Sequence, residues 1–334
     1  MSSRTFVITV AVVALALVAW QLRWVLLVFF GAVVLGVALD VPTSLLRRLL
    51  PLNRPAALLV VVLALLLLGW QVGQLLVPEV IEQVNTLNRL LPDLIDRLVS
   101  LAGRSQALGN LQRLQNIEIW DRLQPLGSHV IGLAGGAANT TIQLLLMVLL
   151  ALLMALDPRS HQRLLIAATP HFYRPRMQGL LQECREALGG WLAGMTLSAV
   201  AVFLLTWLGL ALLHVPLALI SGLVCGVLTF VPTIGPTAAT LLPLAVALLI
   251  SPAKLVQVLV LRLALQNLEA FVLTPLLLKR TVNLLPTVAL MAQLSLGAVL
   301  GLPGLLLALP LVVVLQVVGE QVLVRDVMDR WRAG

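Results

Sequence analysis

Between Ala56 and Val77 the chain carries no charged side chain and is dominated by leucine and valine. Wound as a helix, a run of that length crosses the hydrocarbon core of a bilayer, which is about 30 Å thick. Further apolar runs cover Phe6 to Trp20, Trp24 to Leu39, Val130 to Leu156, Trp191 to Leu213, Leu217 to Phe230, Thr237 to Ile250, Leu255 to Leu278 and Leu284 to Val318. A soluble fold has no means of hiding them all. Of the 334 residues 60% are apolar and 11% are charged, too few charges for a water-facing exterior. The solvent for much of the chain is lipid, where the backbone must satisfy its own hydrogen bonds. The predicted fold is therefore all-α: a polytopic integral membrane protein of about eight transmembrane helices, with broken or re-entrant segments and an amphipathic helical insert.

The polar stretches divide the chain into N-terminal transmembrane helices (1–77), an extramembrane insert (78–139) and a C-terminal transmembrane transport region (140–334) with a polar cytoplasmic stretch at 157–190. In the insert, residues 79–128 hold six acids and five arginines, while Val80, Ile81, Val84, Leu87, Leu91, Leu94, Ile95 and Leu98 recur at helical spacing. The net charge of +8 would suggest nucleic acid in a soluble protein. Its placement says otherwise. With the N-terminus inside and every segment crossing once, 14 of the 22 basic residues fall on the cytoplasmic side and seven outside. Both termini are then cytoplasmic and no nucleic-acid partner is expected. The partners are membrane lipids.

Ionisable groups inside a span are costly, so they mark the first place to look for function. Arg262, Gln266 and Glu269 follow at i, i+4 and i+7, one helical face, with Asn267 beside them. The stripe offers groups for an anion and a cation, so it suits a solute or ion pathway. It equally suits a role in holding neighbouring helices together. Two backbone breaks accompany it. In Phe230-Val231-Pro232-Thr233-Ile234-Gly235-Pro236, two prolines lack donors and a glycine permits an unusual turn. Leu302-Pro303-Gly304, flanked by Pro286, Gly301 and Pro310, makes a second break, predicting two short legs in place of one straight helix. Interrupted helices are a means by which secondary transporters bind solutes and ions, and they also occur in plain loops. The GxxxG spacings at 69/73, 132/136, 190/194, 222/226 and 297/301 permit close helix packing.

Enzymatic signatures are missing. His129, His161, His171 and His214 have no metal-ligand spacing, Cys184 and Cys225 form no framework, and neither a phosphate-binding GxxxxGK[ST] loop nor a GxSxG elbow occurs. The sequence predicts no enzyme, no cofactor and no bound metal.

The order and spacing of Phe230 to Pro236, Pro243, Gln266-Asn267-Leu268-Glu269, Thr274-Pro275, Leu284-Leu285-Pro286, Gly301 to Gly304 and Leu309-Pro310 resemble the autoinducer-2 exporter family of bacterial and archaeal membrane proteins. The resemblance extends over nearly the whole chain. It implies a homo-oligomeric, multi-pass transporter of the bacterial inner membrane that exports a small polar solute such as autoinducer-2. It also admits exchange of sodium or lithium for protons. The resemblance places weight on Glu269 and Pro275, and together with the polar stripe the candidate pathway residues are Arg262, Gln266, Asn267, Glu269, Thr274 and Pro275. The hinge residues are Pro232, Thr233, Gly235, Pro236, Pro286, Gly301, Pro303 and Gly304. A non-transporting scaffold that docks partners through the 79–128 insert is the competing class.

Overall fold

Helices account for all regular structure in the computed structural model, which describes residues 17–18, 20–103, 137–231, 234–273, 275 and 285–328. In chain order they are α1 (Arg23–Leu49), α2 (Arg54–Gly103), α3 (Ala137–Leu156), α4 (Pro158–Ala167), α5 (Arg174–Leu212), α6 (Ala218–Leu228), α7 (Ile234–Ile250), α8 (Pro252–Leu268) and α9 (Pro286–Val318). Among the described residues five helices are long and apolar enough to cross a membrane, or six if the bent pair α3–α4 forms one span. Two shorter apolar helices, Ala218–Leu228 and Gly235–Ile250, add to them. The all-α, polytopic membrane architecture is thus present. Most of the first apolar run, and most of the insert beyond Gly103, lie outside the described residues.

Helices run on through two changes of composition. The span from Ala56 and the start of the amphipathic insert are one helix, α2, which passes through Pro78 without ending. Likewise the later part of the polar stretch, from Arg174, and the span after it are both α5. Amphipathic and apolar periodicities share the same 3.6-residue repeat, so a change of composition need not end a helix. Where helices do end, side chains account for it. Asp157 caps α4 by accepting from the Ser160 amide at 3.2 Å, with Pro158 in the first turn. These hydrogen bonds to Ser160 hold the Asp157 carboxyl below its ordinary pKa. Ser251 caps α8 in the same way, accepting from the Lys254 amide at 3.1 Å ahead of Pro252.

The chain forms two compact units: residues 1–63, 142–193 and 280–334 in the first, and 64–141 and 194–279 in the second. In the second unit the core joins Leu210, Val215, Leu217, Ala218, Val246, Ala247 and Val258. There α6 lies close against α5: a Cβ on Gly222 would come within 2.9 Å of the Phe203 carbonyl oxygen, and one on Gly226 within 2.8 Å of that of Ala199. This GxxxG pair is used for packing, whereas Gly69 and Gly73 face open space. Cys225 is buried in this core with its thiol 3.6 Å from the Ala239 carbonyl, the inert setting expected of it. The exposed surface of α2 carries Leu66, Leu67, Leu68, Trp70 and Leu75, an apolar face that lipid would cover.

In the first unit a buried acid organises the packing. Asp40, 3% exposed within α1, takes Arg54 on one oxygen and Arg185 on the other. Arg54 also donates through Nε to the Ala155 carbonyl at 2.9 Å, so one carboxylate ties α1 to α2, α3 and α5. Two guanidinium groups take the place of the water that the buried carboxyl gives up. Nothing in the sequence singled out this triad. A second cluster fastens the π-helical segment Gly319–Met328 to α5. Arg176 donates to Asp326 at 3.1 Å and to Gln321 at 2.6 Å, Tyr173 donates to Asp326 at 2.7 Å, and Gln321 donates to Glu183.

Candidate functional site

Arg262 lies on α8 in the second unit and is 2% exposed. A guanidinium cannot shed its charge, so every donor needs an acceptor when water is removed. Its Nη1 donates to the Thr206 hydroxyl on α5 at 3.0 Å and its Nε to the Thr240 hydroxyl on α7 at 3.2 Å. Nη2 reaches the Pro236 carbonyl at 3.5 Å. One turn on, the Gln266 amide donates to the same Pro236 carbonyl at 3.1 Å and to Thr240 at 3.2 Å. Thr240 in turn donates to the Pro236 carbonyl at 2.8 Å.

Three residues predicted from sequence therefore converge: Arg262 and Gln266 from the stripe, and Pro236 from the first break. The local sequence explains the meeting. Val231 ends one turn and Gly235 begins the next with its amide on the Val231 carbonyl at 2.8 Å. A Cβ on Gly235 would stand 1.9 Å from the Leu228 carbonyl oxygen, so only glycine permits this approach of α7 to the end of α6. Pro236, one residue later, sits in the first turn of α7, where its carbonyl serves as the acceptor.

Glu269 begins a π-helical turn, Glu269–Leu273, that continues α8. It is half-buried and accepts no hydrogen bond among the described residues. Gln266, which lies between Arg262 and Glu269 on the stripe, turns its amide to Pro236 and Thr240. Asn267 points away from this cluster, donating to the Leu263 carbonyl of its own helix at 2.7 Å on an exposed face. Pro275 is exposed, and Pro232, Thr233 and Thr274 lie outside the described residues.

The second predicted break belongs to the first unit. Pro286 opens α9, and Gly301 interrupts it with φ 64° and ψ −149°, a conformation reserved for glycine. Pro303 is exposed and Gly304 buried just beyond that kink. The two legs foreseen around Gly301 to Gly304 are present as one bent helix.

Sequence reasoning passed over Thr206 and Thr240, the two hydroxyls that make the Arg262 site possible. Their signal was faint: single threonines in apolar spans. It also passed over Gln293 on α9, fully buried with both amide atoms unpartnered among the described residues. An isolated glutamine within an uncharged run has no periodicity to announce it. Among the described residues no cluster of acidic, histidine or cysteine side chains could hold a metal ion.

Comparison with known proteins matches this architecture to one family. The model of the AI-2E family transporter covers residues 8–323, and the chain belongs to that family. Three similar curated proteins each bear the name "putative transport protein". YueF of Bacillus subtilis (strain 168) is 22% identical over 80% of this chain and 77% of its own length. A protein of Synechocystis sp. (strain PCC 6803), sll0060, is 23% identical over 85% and 84%. YrrI of B. subtilis is 29% identical over 45% of this chain, a match that spans 42% of that protein. The chain is a multi-pass membrane transporter.

Proposed function

Proceeding from that family membership, we propose that the chain exports a small polar solute across the bacterial inner membrane and that the solute or a coupling ion meets Glu269. The observation that carries this reading is a half-buried carboxylate with no hydrogen-bond donor among the described residues, on a π-helical turn of a membrane-spanning helix. Acids at membrane depth are kept for ions, protons or substrates, and π-turns concentrate at functional positions. Arg262 and Gln266 hold the neighbouring break in place by gripping the Pro236 carbonyl. Arg262 thus acts as a positioning residue, while Glu269 is the contact residue. With no nucleotide-binding loop in the sequence, either an ion gradient or the solute's own gradient drives transport. Exchange of sodium or lithium for protons is the second reading, favoured by the same carboxylate.

Reconstituted in liposomes, the protein is expected to move labelled polar metabolites under an imposed proton or sodium gradient. Glu269→Gln should cut that flux tenfold or more, about 1.4 kcal/mol of lost stabilisation per decade, with insertion and assembly retained. Unchanged flux would remove Glu269 from the pathway. Flux of sodium or lithium alone would select the second reading.

A further inference from the structure

We propose that the cleft between α4 and the first turns of α5 binds the phosphate of an anionic phospholipid headgroup. The cleft, about 390 Å³ in volume, is lined by Arg159, Gln162 and Arg163 from α4 and by Gln178, Gln182 and Arg185 from α5. Ile166 and Leu181 supply an apolar portion suited to the glycerol end of such a ligand.

The charges in this cleft are not all spent. Arg185 is engaged by Asp40, which it shares with Arg54, and Gln182 donates to Glu186 at 2.9 Å. Arg159 and Arg163 lie one turn apart on α4, both exposed, and neither forms an ion pair among the described residues. Asp157 is the carboxylate whose field reaches Arg163, yet its oxygens are taken by the amide and hydroxyl of Ser160. Two guanidinium forks and the amides of Gln162 and Gln178 thus line one cleft as available donors. Phosphate oxygens are the acceptors that match forked, permanently charged donors.

Placement selects a lipid over a free anion. At Asp157 the chain bends by 87°, so α4 runs nearly perpendicular to the apolar α3. If α3 crosses the bilayer, α4 lies along its surface. Leu164 and Leu165, on the side of α4 away from the arginines, are 72% and 54% exposed, and Phe172 just beyond is 85% exposed. A helix with one basic face and bulky apolar side chains on the other settles in the interfacial plane, apolar side down. That puts Arg159 and Arg163 at headgroup depth.

The test uses the full chain in mild detergent, titrated with phosphatidylglycerol or phosphatidylcholine and read by native mass spectrometry. Phosphatidylglycerol should bind in preference. Arg159→Gln with Arg163→Gln should weaken it roughly 25-fold, about fivefold for each charge removed near a lipid surface. Arg47→Gln with Arg48→Gln, an exposed basic pair elsewhere, should leave it unchanged. If the double variant fails to fold, each single variant decides the matter by its own fivefold loss. Unaltered affinity in the variants overturns the proposal. So does an equal loss in the Arg47 and Arg48 variant, or inorganic phosphate displacing the lipid at equal concentration.

Discussion

Arg262 and Asp40 solve the same problem by opposite means. Asp40 is buried between two arginines, whereas Arg262 is buried against neutral oxygens from Thr206, Thr240 and Pro236. Hydrogen bonds to a charged donor that cannot reach water are expensive to lose. Thr206→Val and Thr240→Val should therefore each destabilise the protein by about 1–3 kcal/mol, read as earlier thermal unfolding in detergent, while Asn267→Ala should have little effect. Asp157 gives a pH-dependent case. Its carboxyl is lowered by hydrogen bonds to Ser160, so its contribution is complete above the ordinary value of about 3.9 and fades as pH falls through the lower folded value. Protection of the Ser160 amide from hydrogen exchange should decline over that acid range in the wild type and be weak at every pH in Asp157→Ala. His214, exposed and held at φ 54°, is the converse: a side chain where the backbone favours none. His214→Gly should stabilise the α5–α6 turn by about 1 kcal/mol, seen as a higher unfolding temperature.

Helix boundaries show which local signals survive in the folded chain. Asp157-Pro158 and Ser251-Pro252 stop and restart helices because a capping oxygen and a missing N–H act together within four residues. Pro78, with no such partner, leaves α2 continuous. The bend in α9 rests on a single residue. Gly301 adopts φ 64° and ψ −149°, where a Cβ is disfavoured whatever space surrounds it. Gly301→Ala should cost about 1–3 kcal/mol or force α9 to straighten. The distance between spin labels placed on its two legs distinguishes these outcomes. The break at Gly235 has a different cause, since contact with the Leu228 carbonyl is what excludes a side chain there. Both breaks were legible as Pro-Gly clusters, but those two causes were not.

For the whole molecule, the distribution of basic residues still predicts that both termini face the cytoplasm; a cysteine in place of Arg47 should react with a membrane-impermeant reagent only from that side. Labelling from the opposite side would overturn the orientation. Deleting residues of the 79–128 insert distinguishes assembly from docking: loss of oligomers together with flux supports the first, and intact flux with a lost partner supports the second. Sequence alone determined that this chain is an all-helical membrane protein, because apolar run length, proline and glycine punctuation and charge scarcity are properties of neighbouring residues. It also singled out Arg262, Gln266 and the Pro236 break, because a charge or a proline within an apolar run is conspicuous by itself. Only the tertiary structure decided that the three meet, that Thr206 and Thr240 complete the cluster, and that Asp40 is buried between Arg54 and Arg185. Those facts depend on which distant segments lie within hydrogen-bond reach, and a threonine or aspartate carries no local mark of the partner that folding will bring to it.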